Sequence, residues 1–333
     1  MKILDLGVPP IRTFLVDAFP LTVMSAYGND YLDWFYSNFI QIKCYKEIEN
    51  SLDNIGFMYY DSIGYRSPYI ELQTVHQTNL RDLNIHMHDF ICKNIDSEGY
   101  VEIYLDDFYV PQRNTYLKFH FFHSSLIYGY DRENQLYYTL SYNDKGEYSP
   151  SLVSFKQFEI AYDASQEFVT KSSWSDRIYI FNYADYDYKF NKDLVKLSLK
   201  DYLNSTNQFD IYRREYNRSI ECVFGIATYG KLLSYLKILK SENIMLDYRV
   251  FYFIYEHKKI MFDRLCYMQT NKLSDANFVY DYQLIVDLSH TLHRNALKYF
   301  VSNNKNALDH MYELISQIYE SEVIFLNKYI KTI

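Results

Sequence analysis

The side chain best placed to do chemistry in this sequence is His123. It stands within the stretch KFHFFHSSLIYGYD (118–131), directly before a run of small and apolar residues. An imidazole takes up and releases protons near neutral pH, so a histidine fixed at the edge of a folded element is suited to general acid and base catalysis. We therefore take His123 as the candidate catalytic residue, and the elements around it decide what it can do.

A predicted β-hairpin holds His123. The apolar runs 125–130 and 136–142 flank the polar turn sequence DRENQ, which is the pattern of two buried strands joined by a tight turn. His123 then lies at the open end of the hairpin, where the first strand begins. Folding the chain about residue 133 brings positions near 143 opposite His123, and Ser141 and Asn143 share one face because side chains alternate along a strand.

The other histidines fit solvated or packed positions better. His120 precedes His123 by three residues and faces the other side of a regular strand, so it is the alternative imidazole only if His123 is not used. His86 and His88 diverge by roughly 200° on a helix. His290 and His293 lie one turn apart on a predicted helix, where a solvated pair is the common outcome. We expect no metal site.

The elements around the hairpin predict an α+β unit. A first long helix is predicted from Ser25, because apolar and aromatic residues recur at helical spacing from Tyr27 to Ile42. Strands are predicted over 55–60, 100–108 and 177–183, and helices over 79–94 and 155–162. These elements make one domain over residues 1–190 with a central antiparallel sheet.

A second domain is predicted over residues 191–333. Its apolar residues recur with a helical period in the segments 192–204, 223–241, 246–269, 276–301 and 305–330. Long amphipathic helices joined by short polar loops favour an antiparallel helical bundle. The predicted fold class is therefore α+β, with a helical C-terminal domain.

The strand that His123 opens resembles the histidine strand of papain-like proteins, with a Gly six positions after the His and Tyr-Asp behind it. Segments 19–44, 123–143, 151–162 and 251–265 resemble the papain-like amide-forming and acyltransferase proteins of bacterial nonribosomal peptide natural-product clusters, the group of the butirosin acyltransferase and the closthioamide amide-forming enzyme. The resemblance implies a papain-like fold for the first domain. In members with a cysteine nucleophile it also implies an acyl-thioester whose acyl group passes to an amine.

In that family the nucleophile lies in the first turn of the first long helix, where the helix dipole and the imidazole stabilise a thiolate. The resemblance places Ala26 at this position. Alanine cannot attack a carbonyl carbon, so either a catalytic cysteine has been replaced in this polypeptide or the chain is a natural pseudoenzyme.

The remaining site residues are also implied by the resemblance. An amide or hydroxyl side chain on the strand after the histidine fixes the imidazole tautomer. Asn143 is our preference because its amide oxygen accepts the Nδ1 proton, and Ser141 fits the family spacing slightly better. Ser25, Tyr27 and Thr22 are the candidate substrate-binding residues, with Thr22 beside an oxyanion hole of backbone N–H groups.

Composition limits the partners. The formal net charge of the 333-residue chain is −8 and no Lys/Arg run occurs, so the basic patch of a nucleic-acid-binding protein is missing. No stretch reaches the roughly 18 apolar residues of a membrane span, and the N-terminus lacks the apolar core of a signal peptide. We expect a cytoplasmic protein without membrane or nucleic-acid partners. The four cysteines lack CxxC spacing and are predicted to be buried free thiols.

Two functions fit these observations. The first is an acyl or peptidyl transferase that forms an amide bond in peptide natural-product biosynthesis, where a polythioamide is one such product. Its partners are a small-molecule or carrier-tethered acyl donor, an amine acceptor and a carrier protein, and it needs no cofactor. His123 acts first as base and then as acid, with residue 26 at the nucleophile position. The second is an inactive papain-like module whose cleft binds a peptide or natural product.

Overall fold

The computed structural model describes residues 1–45, 55–58, 67–171, 173–207, 222–242, 244–274 and 278–333. Its α-helices are α1 (Leu15–Ala26), α2 (Leu32–Asn38), α3 (Gln77–Asp82), α4 (Met87–Asp96), α5 (Phe155–Ser165), α6 (Lys192–Asn204), α7 (Thr228–Ser241), α8 (Arg249–Thr270), α9 (Val279–Ser302) and α10 (Asn306–Tyr329). Its strands are β1 (Lys2–Ile3), β2 (Gln41–Tyr45), β3 (Ile55–Met58), β4 (Ile70–His76), β5 (Tyr100–Asp106), β6 (Phe122–Asp131), β7 (Leu136–Tyr142), β8 (Tyr148–Ser154), β9 (Arg177–Tyr183) and β10 (Cys222–Phe224). The chain is α+β as predicted, with an antiparallel sheet and C-terminal helices.

The chain folds into two compact units, and each unit combines two stretches of sequence. Unit 1 comprises Met1–Tyr31 and Gly64–Asp187, and unit 2 comprises Leu32–Ile63 and Tyr188–Ile333. The longer stretch of unit 2 begins close to the domain boundary placed at 190/191 from the sequence. Its shorter stretch supplies β2 and β3, which pair with β10 in a three-stranded sheet in the order β10-β2-β3.

Unit 1 is built on a seven-stranded sheet in the order β4-β9-β5-β6-β7-β8, with β1 pairing on β6. The pairings along this sheet are antiparallel. Helices contact both central strands, α5 on β5 and α4 on β5 and β6. Because β5 and β6 are largely covered on both faces, they read as nearly continuous apolar runs rather than as a clean alternation.

The β6–β7 hairpin is confirmed, and its turn has an identifiable stabiliser. Asp131 Oδ1 accepts hydrogen bonds from the backbone N–H groups of Glu133 and Asn134, and Oδ2 accepts one from the Asn134 amide. Gln135 closes the turn with a left-handed φ of 54°. An aspartate that satisfies the turn's own backbone donors is a local signal, which is why the DRENQ sequence predicted this turn correctly.

The prediction of a long helix starting at Ser25 is wrong. Helix α1 ends at Ala26, and Gly28, at φ +118°, separates it from the short α2. Only glycine adopts that backbone conformation without strain, so the chain turns there rather than continuing the helix. After α2 the chain enters β2 at Gln41, so the apolar spacing between Tyr27 and Ile42 spans a turn, a short helix and a strand.

The predicted helices beyond residue 190 are confirmed, with one change at a boundary. The segment predicted from residue 223 begins with strand β10 and a short 3-10 turn, and α7 starts only at Thr228. Gly225 allows this: its φ is +51°, and a Cβ there would lie 2.1 Å from the Tyr202 carbonyl oxygen. Residue 276, where the next segment was predicted to begin, lies outside the described residues. In the described ranges no helix has both the length and the apolar character to cross a bilayer.

Candidate functional site

A histidine–aspartate pair lies at one end of the unit 1 sheet. His123 is the second residue of β6 and pairs with Leu105 of β5. Its Nδ1 lies 3.3 Å from Oδ2 of Asp107, the first residue after β5. The backbone N–H of Asp107 donates to the Phe121 carbonyl oxygen, at 2.9 Å, and so fixes the carboxylate against the start of β6. The antiparallel pairing of β5 and β6 therefore brings acid and imidazole together.

A buried guanidinium stands behind this carboxylate. Arg113 is 3% exposed. Its Nη1 donates to the Tyr142 carbonyl oxygen at 2.8 Å, and its Nη2 donates to Ser125 Oγ at 3.0 Å. Its Nε lies 3.6 Å from Asp107 Oδ1, so the contact is an ion pair without a hydrogen bond. Burial lowers the pKa of Arg113 and the charge of Asp107 acts the other way, so each buried charge depends on the other.

The arrangement leaves one imidazole nitrogen available. With Nδ1 facing Asp107, the tautomer that carries the proton on Nδ1 presents Nε2 as a base. Among the described residues nothing hydrogen bonds to His123 Nε2, and a quarter of the side chain is exposed. The structure therefore places a carboxylate beside Nδ1 as an ion-pair contact and leaves Nε2 without a hydrogen bond from the described residues.

Aromatic side chains surround the pair. The His123 ring lies between those of Phe121 and Tyr142, at centroid distances of 5.3 Å and 6.2 Å. Phe121 is 45% exposed, and Phe119 and Leu117 in the preceding turn are more exposed still. A ligand that meets His123 from solvent would thus meet flat apolar surface at the same place, which suits an aromatic or peptidic group.

His120 belongs to a separate pair. Its Nδ1 lies 2.6 Å from Asp106 Oδ2, and its ring stacks on Phe108 at 4.4 Å. Asp106 also accepts backbone hydrogen bonds from Phe108 and Phe121 through Oδ1, so this carboxylate closes the turn after β5. The His120 side chain is more than half exposed. The contact between His120 and Asp106 belongs to the structure of this turn. The two histidines thus contact neighbouring aspartates, His120 with Asp106 and His123 with Asp107.

Neither predicted orienting residue makes the predicted contact with His123. Asn143 instead closes the turn after β7, where its Oδ1 accepts from the backbone of Lys145 and Glu147. Ser141 is fully buried and donates to the Ser124 carbonyl oxygen at 3.1 Å. Asp107 is the residue that faces His123 Nδ1. Asn143 satisfies the backbone of its own turn instead of reaching across the hairpin. The signal for Asp107 was the pair of aspartates near the end of the predicted strand YVEIYLDDF (100–108).

Ala26 does not stand opposite His123. It is the last residue of α1, and the next residue, Tyr27, stacks on Tyr183 with ring centroids 4.1 Å apart. The Tyr27 hydroxyl interacts with that of Tyr100, the first residue of β5. His123 pairs with Leu105, five residues further along the same strand, or about 17 Å away. Ala26 and His123 therefore lie toward opposite ends of the sheet, and the structure does not bring these two residues together.

The start of α1 lies at the His123 end instead. The Tyr142 hydroxyl lies within hydrogen-bonding reach of the carbonyl oxygens of Arg12 and Thr13, just before the helix, and its one proton is shared between them. The Tyr142 ring stacks against His123. The residues at this helix start are Thr13, Phe14 and Leu15, and no cysteine is among them. A helix N-terminus therefore lies near the strand histidine, as the papain-like resemblance implies. It is formed by the residues at the start of α1, not by Ala26 at its end.

The predicted substrate-binding residues are occupied in packing α1. Ser25 Oγ donates to the Leu21 carbonyl oxygen at 2.7 Å, and Thr22 Oγ1 donates to the Ala18 carbonyl oxygen at 2.7 Å. Thr22 also shares a hydrogen bond of 2.8 Å with the Tyr148 hydroxyl. Nothing in the described part of unit 1 brings Ser25 or Tyr27 to the His123 end.

One functional group in unit 1 was missed from the sequence. Glu102, in the middle of β5, is 1% exposed, and burial raises the pKa of its carboxyl to about 7. Ser124 Oγ donates to Oε1 at 2.8 Å, and Oε2 has no hydrogen-bond partner among the described residues. The sequence signal was a glutamate within an otherwise apolar strand. A carboxyl with this pKa is protonated in part of the molecules at neutral pH.

The four cysteines are not part of the His123–Asp107 pair. Cys92, on α4, is the one in unit 1, and burial raises the pKa of its thiol. Burial also raises the pKa of Cys44 in β2 to about 12. Cys44, Cys92 and Cys222 are buried as predicted, whereas Cys266 on α8 is half-buried. Within the ranges that the structure describes, no group of three His, Cys, Asp or Glu side chains is placed to hold a metal ion.

Unit 2 holds a buried ion pair between Lys258 and Glu322. Lys258 Nζ lies 2.8 Å from both carboxylate oxygens of Glu322, and both side chains are fully buried. Three tyrosine hydroxyls donate to the same carboxylate, those of Tyr202, Tyr229 and Tyr282. Every oxygen of Glu322 is thus satisfied, which is the pattern of a structural network.

No family model matches the sequence, and no curated protein matches it significantly. The candidate function therefore rests on the geometry of unit 1.

Proposed function

We propose that unit 1 is a papain-like fold without its nucleophile, and that it binds an aromatic peptide or natural product at the His123 end of the sheet. The observation that carries this proposal is the position of α1. Its N-terminus, not Ala26, lies beside Tyr142 and His123, and that N-terminus reads Thr13-Phe14-Leu15. A papain-like site requires a thiol at this place, so the retained histidine serves recognition rather than covalent chemistry.

The proposed ligand follows from the surface. Phe121 is exposed beside a partly exposed imidazole, so the ligand carries a flat apolar group and a hydrogen-bond donor that meets His123 Nε2. A peptidyl group, free or tethered to a carrier protein, has both. Stacking on phenylalanine supplies most of the affinity, and the imidazole supplies orientation.

A second function is favoured by one observation: His123 Nε2 makes no hydrogen bond with any residue that the structure describes, while Nδ1 faces Asp107 Oδ2 at 3.3 Å. Such a base removes a proton from an amine while the amine nitrogen attacks the carbonyl carbon of a thioester. The new C–N bond forms, the C–S bond breaks, and the proton leaves with the thiol. This is amide formation without an acyl-enzyme, so the absence of a cysteine does not prevent it.

One set of variants separates the two functions. The probes are the N-acetylcysteamine thioester of N-acetylphenylalanine, with benzylamine as acceptor, and the corresponding unreactive amide for calorimetric binding. If unit 1 is a binding module, the wild-type protein binds the amide and the Phe121→Ser variant does not. Neither protein then converts the thioester. A transferase makes the benzylamide at a rate that falls at least about a hundredfold on His123→Ala.

Tyr280→Ser is the matched control, since Tyr280 is an aromatic residue of unit 2 that is 80% exposed. If it weakens binding as much as Phe121→Ser does, the ligand recognises exposed aromatics in general. If the wild-type chain neither binds the amide nor consumes the thioester, both functions fail.

A further inference from the structure

A groove of about 380 Å³ lies on unit 2, and its lining shares no residue with the His123 site. Helices α2 and α8 form its two sides. The residues that line it are Leu32, Tyr36, Asp263, Cys266, Tyr267, Thr270 and Asn271. The groove is shallow and largely open to solvent, and it combines two tyrosine rings with the polar side chains of Asp263, Thr270 and Asn271.

Two tyrosine rings form the apolar part of the groove. The rings of Tyr36 and Tyr267 lie 4.9 Å apart between centroids, inclined by 38°. The Tyr267 hydroxyl donates to Asp33 Oδ1 at 2.6 Å, which fixes the orientation of its ring. Phe190 extends the aromatic surface, with its ring 6.0 Å from that of Tyr267. A flat apolar group fits this surface.

Asp263 is the one charged residue in the lining. Two cations lie near it without lining the groove. Lys259 pairs with Asp263 Oδ2 from one helical turn away, at 2.5 Å. Arg264 turns inward, where it donates to the carbonyl oxygens of Tyr36 and Phe39 at 2.6 Å and 2.5 Å. Those carbonyls lie at the C-terminal end of α2, where the helix dipole offsets a positive charge.

We propose that this groove binds an organic amine. The protonated nitrogen pairs with Asp263, and the apolar body lies against Tyr36 and Tyr267, whose ring faces attract a cation. Lys259 competes with the amine for Asp263, because its ammonium group already pairs with the same carboxylate from the solvent side. Removing Lys259 therefore strengthens amine binding, and removing the charge of Asp263 weakens it.

Occupancy of the groove can be measured through the reactivity of Cys266. It is the half-buried cysteine of the groove, whereas Cys44, Cys92 and Cys222 are each at most 9% exposed. Its rate of labelling by iodoacetamide reports on occupancy of the groove, and mass spectrometry confirms the labelled residue. The probes are 2-phenylethylamine and its isosteres 2-phenylethanol and phenylacetate, which differ in charge at nearly constant size.

The amine protects Cys266 with an apparent Kd of about 1 mM, and the alcohol and the acid protect at least about fivefold more weakly. Asp263→Asn removes this preference for the amine, and Lys259→Gln tightens amine binding about threefold. The two variants thus shift the same affinity in opposite directions, although both break the same ion pair. The proposal is overturned if the alcohol or acid protects equally, if both variants shift affinity in one direction, or if the amine gives no protection.

Discussion

Asp107 Oδ2 lies 3.3 Å from His123 Nδ1 because Leu105, two residues before Asp107, pairs with His123 across β5 and β6. The contact depends on strand register, and a shift by one residue would turn His123 to the other face of the sheet. Arg113 holds the other side of the carboxylate. The contact between His123 and Asp107 is therefore fixed by the pairing of β5 and β6. The contributions of Asp107 and Arg113 can be tested separately.

Asp107→Asn is expected to lower the free energy of unfolding by about 3–5 kcal/mol, because it leaves the buried Arg113 without a counter-charge. Urea unfolding measures this loss. The double variant Asp107→Asn/Arg113→Met should cost less than the sum of the two single variants, since it removes both charges. Additive costs would mean that the ion pair at 3.6 Å contributes nothing.

A thiol introduced by Ala26→Cys is expected to react slowly with iodoacetamide at pH 7. The helix dipole at the C-terminal end of α1 disfavours a thiolate, and no imidazole of the described residues contacts position 26. The labelling rate is measured in a Cys266→Ser background, with and without His123→Ala. Fast labelling that slows about tenfold or more when His123 is removed would restore the original pairing of these two residues.

Glu102→Gln is expected to flatten the dependence of stability on pH. The folded-state pKa of Glu102 is raised to about 7 from 4.5, so its stabilising contribution is complete below pH 4.5 and is lost as the pH rises through 7. The loss amounts to about 3 kcal/mol, and the glutamine variant avoids it because an amide does not ionise. Its amide oxygen can still accept the hydrogen bond from Ser124. The measurement is urea unfolding at pH 5 and pH 8.

The control for Glu102 is Glu71→Gln, which changes an exposed carboxyl on β4 of the same sheet. It should leave the difference between pH 5 and pH 8 unchanged. A Glu102→Gln protein whose stability falls between these pH values as steeply as that of the wild type would show that this carboxyl ionises freely in the folded state.

Lys258→Met is expected to cost about 3–5 kcal/mol of unfolding free energy, because the fully buried Glu322 would lose its counter-charge. Lys259→Met, one residue along the same helix, should change it by less than about 0.5 kcal/mol, since the Lys259 pair is exposed. Thermal and urea unfolding measure both. Equal effects of the two substitutions would contradict the assignment of Lys258 to a buried network.

Local sequence patterns predicted the local structure. The β6–β7 hairpin, strand β9 and the C-terminal helices follow from turn residues and apolar periodicity that lie within each segment. The contacts of the candidate site could not be predicted from such local patterns. The contact of Asp107 with His123 depends on which strands pair, and the place of Ala26 depends on where α1 ends. Gly28 marked that end, but the apolar spacing from Tyr27 to Ile42 continued across it and gave a false helix.

The Glu322 carboxylate has a consequence for how unit 2 unfolds. Tyr202, Tyr229, Lys258, Tyr282 and Glu322 come from α6, α7, α8, α9 and α10 in turn, so five successive helices each contribute at least one side chain to a single buried network. No one of these helices can detach without stranding a charge or a hydroxyl. Their slowest-exchanging amides should therefore open together as one cooperative block in native-state hydrogen exchange.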